Sequence, residues 1–117
     1  MAKPCNVALI GQGFMGRTHS NAYLKVAKFF SDLPRVPVMH SVFGMKEEHP
    51  EQFAQRWGWQ NAATDWKSLV RDERIDLVDL VTPNYMHLPP AMEALAAGKV
   101  VATEKPLAGT LADAREM

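Results

Sequence analysis

The stretch NVALIGQGFMG, residues 6–16, constrains this chain more than any other. Asn6 to Gly11 is a short apolar run containing β-branched residues and ending on glycine, which predicts a buried strand. The periodicity then changes: Met15, His19, Ala22, Tyr23, Val26, Ala27 and Phe30 recur at three and four residues, predicting a helix with one apolar stripe that ends at SDLPRVP. Between the two, Gly11, Gly13 and Gly16 spell G-x-G-x-x-G. In that position the glycines serve, in turn, a tight turn, close backbone approach to a pyrophosphate, and close contact of helix with strand. The free amides and positive dipole end at residues 13–16 then hold phosphate without a basic side chain. Gly11, Gln12, Gly13, Phe14, Met15 and Gly16 are therefore candidate cofactor-binding residues. The competing reading is a structural turn plus a helix-packing glycine.

The rest of the chain keeps the same alternation. VPVMHSVFG (36–44) has strand composition, and KEEHPEQFAQRWG (46–58) predicts a helix with acids in its first turn, Pro50 in its opening turn and Gly58 as C-cap. A weak strand is predicted in QNAAT, then one or two helical turns in DWKSLVRD with Asp65 as N-cap. IDLVDLVTP (75–83) predicts a central strand, although Asp76 and Asp79 break its apolar run. HLPPAMEALAAG (87–98) predicts a helix whose two prolines sit where amides lack intrahelical partners. VVAT (100–103) predicts a buried core strand, and TLADAREM the start of a helix. Alternating strands and helices imply an α/β fold, a Rossmann-type doubly wound parallel sheet with right-handed crossovers.

Composition removes several function classes. Lys plus Arg and Asp plus Glu both count 13, so net charge is zero and no basic field exists for nucleic acid or an anionic membrane surface. The first apolar stretch is interrupted by Gln12 and glycines well short of a membrane span or a signal h-region. The one cysteine, Cys5, cannot form an internal disulfide and fits a reducing cytoplasmic setting. His19, His40, His49 and His87 share no ligand-like spacing, so no metal site is predicted.

A dinucleotide site also needs a residue after the second strand to read the adenosine ribose, commonly Asp or Glu for NAD. Here Gly44, Met45 and Lys46 follow that strand. Without a carboxylate there, nothing repels a 2′-phosphate, and Lys46 adds a cation, so NADP is expected in preference to NAD. Against this, Lys46 reads equally as a solvated residue at a helix start, and Glu47 offers another carboxylate.

Taken together, GQGFMG, VTPNYMH and TEKPLAG, with FAQRWG and AMEALAAGK, resemble the N-terminal domain of the glucose-fructose oxidoreductase, inositol dehydrogenase and MocA-like family along the whole 117 residues. The resemblance implies an NAD(P)-dependent oxidoreductase acting on sugars, polyols or related carbonyl compounds. It implies that Thr82, Pro83 and Asn84 line the cofactor cleft and that His87 contacts ribose or nicotinamide. Read alone, His87 is rather a helix-start cap. Lys105 matches the lysine that lies between nicotinamide and substrate, where hydride transfer needs a group to handle the hydroxyl proton. Glu104 should point away from Lys105 along an extended chain and bind ribose or orient the loop. Pro106 disfavours helical geometry at Lys105, and the resemblance raises the chance of a cis bond before it.

The family's substrate-binding second domain is not in this sequence, so residues 1–117 are expected to be a fragment whose sheet is truncated. Three readings follow. The first is the cofactor-binding half of a dehydrogenase whose small-molecule substrate meets the complete protein. The second is a non-catalytic NAD(P)H-sensing module, a homo-oligomer or complex that covers an exposed sheet edge. The third is a methyltransferase with another glycine-rich nucleotide turn, which the EKP segment opposes.

Overall fold

The computed structural model describes residues 2–117. Five strands, Lys3–Ile10 (β1), Arg35–Phe43 (β2), Asn61–Ala63 (β3), Leu77–Leu80 (β4) and Val100–Thr103 (β5), alternate with five helices. The helices are Phe14–Phe29 (α1), Pro50–Trp57 (α2), Trp66–Arg71 (α3), Leu88–Ala96 (α4) and Leu111–Glu116 (α5). All strands are parallel, in the order β3-β2-β1-β4-β5. The chain builds outward from β1 to β3, then returns to add β4 and β5 on the other side. Open parallel sheets bind ligands at the carboxyl ends of the strands beside such a reversal, here between β1 and β4.

Side-chain alternation along β1 feeds two cores. Val7 and Leu9 pack with Val42, with Phe53 and Ala54 of α2, and with Trp59. Ala8 and Ile10 face the other way, onto Val78 and Leu80, Leu69 and Val70 of α3, and Ala91 and Ala94 of α4. Each fully buried Val, Leu or Ile contributes about 1.5–3 kcal/mol relative to exposure. A sheet covered on both faces explains why β1 ends as an unbroken apolar run.

Local chemistry sets the boundaries. Asp65 caps α3 by accepting a hydrogen bond from the Lys67 amide at 3.0 Å. Gly58 and Gly98 end α2 and the α4 turn with φ of 90° and 77°. Three expectations need correction. The helix predicted over 46–58 is a single 3-10 turn at Lys46–Glu48 followed by α2, with His49 left-handed at φ 52° between them. Pro50 makes right-handed helical geometry at His49 unfavourable and then serves as the first residue of α2.

The packed face of α1 is not the predicted apolar stripe. Gly16 and Ser20 are buried and Tyr23 and Val26 half-buried, while Met15, Ala22, Ala27 and Phe30 are exposed. Small residues win because the helix lies close to the first turn: a Cβ on Gly16 would come within 3.1 Å of the Gly11 carbonyl oxygen. Finally, VVAT is only half in the core: Val101 packs against it, whereas Val100 is 63% exposed, with β4 the one strand beside β5 among the described residues.

Candidate functional site

The glycine turn leaves the end of β1 directly beside β4. Val81 donates its amide to the Ile10 carbonyl at 3.0 Å, and Gly11 donates to Phe43 of β2 at 3.0 Å. Gly11 takes φ 112°, and a Cβ there would meet the Val81 carbonyl group at 3.0 Å. Both observations demand glycine. Gly13 is different: it caps α1, has no side-chain cap bond over it, and a Cβ added to it would meet nothing within 4 Å. The first-turn amides of α1 therefore face open space without a protein acceptor, which is the arrangement that receives phosphate.

A cleft of about 600 Å³ lies against this turn. Gly11, Gln12, Gly13, Phe14 and Met15 line one side and Thr82 and Pro83 the other. Sequence reasoning missed Phe43, Met45, Glu48, Trp66, Val81, Tyr85 and Met86, which complete the lining. Gly16 packs behind the turn, and Asn84 is exposed on the 3-10 turn Asn84–Met86.

At the end of β2, the expectation of NADP rests on Lys46. Lys46 is exposed and does not line the cleft, whereas Met45 and Glu48 do. Glu48 accepts the Met45 amide at 2.8 Å, so its carboxylate folds back toward the strand end. Gly44 serves another purpose: the Gln12 side chain lies over it where a Cβ would be, and the Gln12 amide donates to the Glu48 carbonyl at 2.5 Å. The Gln12 Oε1 is buried without a partner among the described residues.

The opposite wall is the loop after β4, which His87 joins to the loop after β5. The His87 ring is fully buried, with Nε2 3.0 Å from the Thr82 carbonyl oxygen and Nδ1 3.0 Å from that of Pro106. The Thr103 hydroxyl is 3.3 Å from Nδ1. His87 thus fastens the loop after β5 to the loop after β4. This corrects the expectation that it reaches the cofactor, since a ring with no exposed surface has nothing to offer a ligand; nor does its side chain cap α4. Gly109 adds to the contact, because a Cβ there would meet the Tyr85 backbone at 3.2 Å. The Lys105–Pro106 bond is cis. Lys105 is exposed at the tip of this loop and forms no ion pair among the described residues.

A second polar group, not foreseen, lies behind Lys105. Asp79 of β4 is 1% exposed and points toward α1; its Oδ2 accepts from the Tyr23 hydroxyl at 2.7 Å and from His19 Nδ1 at 2.7 Å. The other ring nitrogen of His19 lies 2.6 Å from Glu104 Oε1. With an acceptor at each nitrogen, the ring donates twice, as the imidazolium. Burial draws its pKa down, but the hydrogen bonds and charges of Asp79 and Glu104 outweigh that and leave it above the ordinary histidine value. The His19 hydrogen bond holds Glu104 below the usual carboxylate range, and burial together with the Asp79 charge pushes the Tyr23 hydroxyl up. Glu104 is therefore engaged behind the loop, which favours loop orientation over ribose binding. Asp79 in an otherwise apolar strand was the one sequence signal for this group, since a buried carboxylate needs partners.

No three His, Cys, Asp or Glu side chains gather as metal ligands among the described residues, and none of their helices is long and apolar enough to cross a membrane.

A parallel sheet in this order, with a bare helix terminus facing a cleft at the carboxyl ends of β1 and β4, defines a dinucleotide-binding domain of the oxidoreductase type. A family model described as oxidoreductase family, NAD-binding Rossmann fold, that of the glucose-fructose oxidoreductase, inositol dehydrogenase and MocA group, matches residues 5–117, and the chain belongs to that family. It is 41% identical over 112 residues to levoglucosan dehydrogenase of Pseudarthrobacter phenanthrenivorans, covering 96% of this chain and 29% of that protein. It is 31% identical over 108 residues to 4-carboxy-2-hydroxymuconate-6-semialdehyde dehydrogenase of a Sphingobium, covering 92% of this chain and 32% of that one. A levoglucosan dehydrogenase solved in complex with NADH superposes with a TM-score of 0.95 at 40% identity, over 98% of this chain and 31% of that structure. The chain thus spans about a third of the length of the relatives it matches.

Proposed function

We propose that this chain is the cofactor-binding part of an NAD-dependent dehydrogenase that moves hydride between nicotinamide and a sugar, polyol or related hydroxy or carbonyl compound. The observation that carries the reading is the cleft between the bare α1 terminus and the loop after β4, a loop that His87 ties to the one bearing Lys105. The amides of residues 13–16 would hold the pyrophosphate, and Thr82, Pro83 and Asn84 the nicotinamide ribose. The nicotinamide supplies the hydride acceptor or donor. Lys105 manages the proton that must leave or join the substrate oxygen as hydride moves.

NAD is the preferred cofactor in this reading, because the acid Glu48 lines the cleft near the end of β2 and the cation Lys46 does not. A carboxylate there accepts from ribose hydroxyls and repels a 2′-phosphate. Fluorescence titration of the chain with NADH and NADPH tests both parts: NADH should bind more tightly, tighter NADPH binding reverses the preference, and absence of binding to either overturns the reading. In a protein extended by a substrate domain, Lys105→Ala should lower kcat about 10²–10⁴-fold; unchanged kcat would remove Lys105 from the chemistry.

A further inference from the structure

Neither phosphate binding nor hydride transfer calls for His19, yet it sits at the centre of the best-connected polar group in the molecule. Its ring bridges Asp79, buried on β4, and Glu104, the residue before Lys105, at 2.7 and 2.6 Å. Glu104 also feels the charge and the backbone amide of Lys105. The strand ends at Thr103 and the chain bends at Lys105, so the two side chains are not held on opposite faces and the Lys105 charge reaches the Glu104 carboxylate. An idle acid there would pair with the ammonium, and a paired ammonium gives up its proton less readily. We propose that His19 is a positioning residue for Lys105: by taking Glu104 as its partner it keeps that carboxylate off the Lys105 ammonium and leaves the amine free for the reacting oxygen of the substrate. This rests on Lys105 meeting that oxygen, as proposed above.

The coupling has a pH dependence with a defined direction. The groups facing His19 are Asp79 from β4, Glu104 after β5 and, through Asp79, Tyr23 one turn along α1; Lys105 stands beyond Glu104, and Cys5 of β1 acts on Tyr23. When the ring loses a proton at alkaline pH it keeps one donor. Asp79 retains it, because the buried carboxylate has more to lose from standing alone. Glu104 is then released toward Lys105.

The test is the rate at which acetic anhydride labels Lys105 at neutral pH, read by peptide mass spectrometry on the whole chain. His19→Gln should slow labelling roughly two- to fivefold, the range of an exposed ion pair. His19→Gln combined with Glu104→Gln should restore the original rate. An unchanged rate in His19→Gln overturns the proposal, and so does slowing that persists in the double variant. Should His19→Gln fail to fold, nitrogen NMR of His19 decides: Glu104→Gln should move its titration midpoint to lower pH, and an unmoved midpoint overturns the coupling. NADH binding by the same samples separates the two ideas. Coupling without NADH binding sinks the dehydrogenase reading alone; NADH binding without coupling sinks this proposal alone.

Discussion

The two walls of the crevice are held by different means. The wall formed by the glycine turn is fixed by backbone contact: Gly11 touches Val81, Gly16 touches Gly11, and neither tolerates a side chain. The facing wall, the loop after β4, is tied by His87 to the loop that bears Lys105, and His19 holds that second loop through Glu104, so two histidines do the fixing, one reaching carbonyls and the other carboxylates. Steric anchors do not titrate and cannot be retuned. Polar anchors respond to pH and to single substitutions, so the side tied to the Lys105 loop is the adjustable one and the glycine turn the rigid one.

The largest blow to the rigid wall is Gly11→Ala. A side chain at φ 112° and 3.0 Å from Val81 should cost about 3 kcal/mol in urea unfolding and abolish NADH binding. Retained stability would show that β1 and β4 can separate without harm. On the adjustable wall, His87→Ala should cost about 2 kcal/mol by stranding the Thr82 and Pro106 carbonyls. Hydrogen exchange should then quicken at residues 104–109 while residues 11–16 keep their protection; equal loosening of both would erase the distinction between the walls.

Smaller in effect is the pH response of the His19–Glu104 pair. Histidine is raised on folding, so its stabilisation is complete below the ordinary value of 6.5 and is lost as pH climbs through the raised one. Glutamate is lowered, so its share is complete above 4.5 and is lost as pH falls through the lowered one. The pair therefore stabilises most between those two ordinary values, and thermal melts should show Tm declining on the alkaline side by a few degrees, roughly the shift that 1 kcal/mol produces in a domain this size. His19→Gln should remove that alkaline decline. Last, Lys46→Ala should change NADH and NADPH affinities less than about twofold, the effect of one solvated charge; a selective loss of NADPH binding would return it to the adenosine site.

What the sequence revealed follows the same division. Strand, glycine turn, helix and the caps at Asp65, Gly58 and Gly98 are decided by residues a few positions apart, and they were legible. The parallel order came from their alternation. The exposure of Val100 was not legible, because burial along VVAT depends on neighbours that its own residues do not specify. The histidine anchors were hidden by distance along the chain: His19 and Glu104 are 85 residues apart, and His87 meets Pro106 across 19. Which way Lys46 and Glu48 face was not legible, because position in sequence after β2 says nothing about how a 3-10 turn aims its side chains.

Gly13 carries a practical consequence for anyone sorting variants of this protein. A methyl group there meets no neighbour within 4 Å, and its φ of −68° suits any residue. Selection for expression or melting temperature would pass Gly13→Ala as neutral, while selection for ligand capture would reject it for crowding the space a pyrophosphate must enter. Gly11 would be rejected by both. Two glycines two residues apart in one motif thus leave opposite signatures, and a library scored only for folding would report one of the motif's three glycines as dispensable.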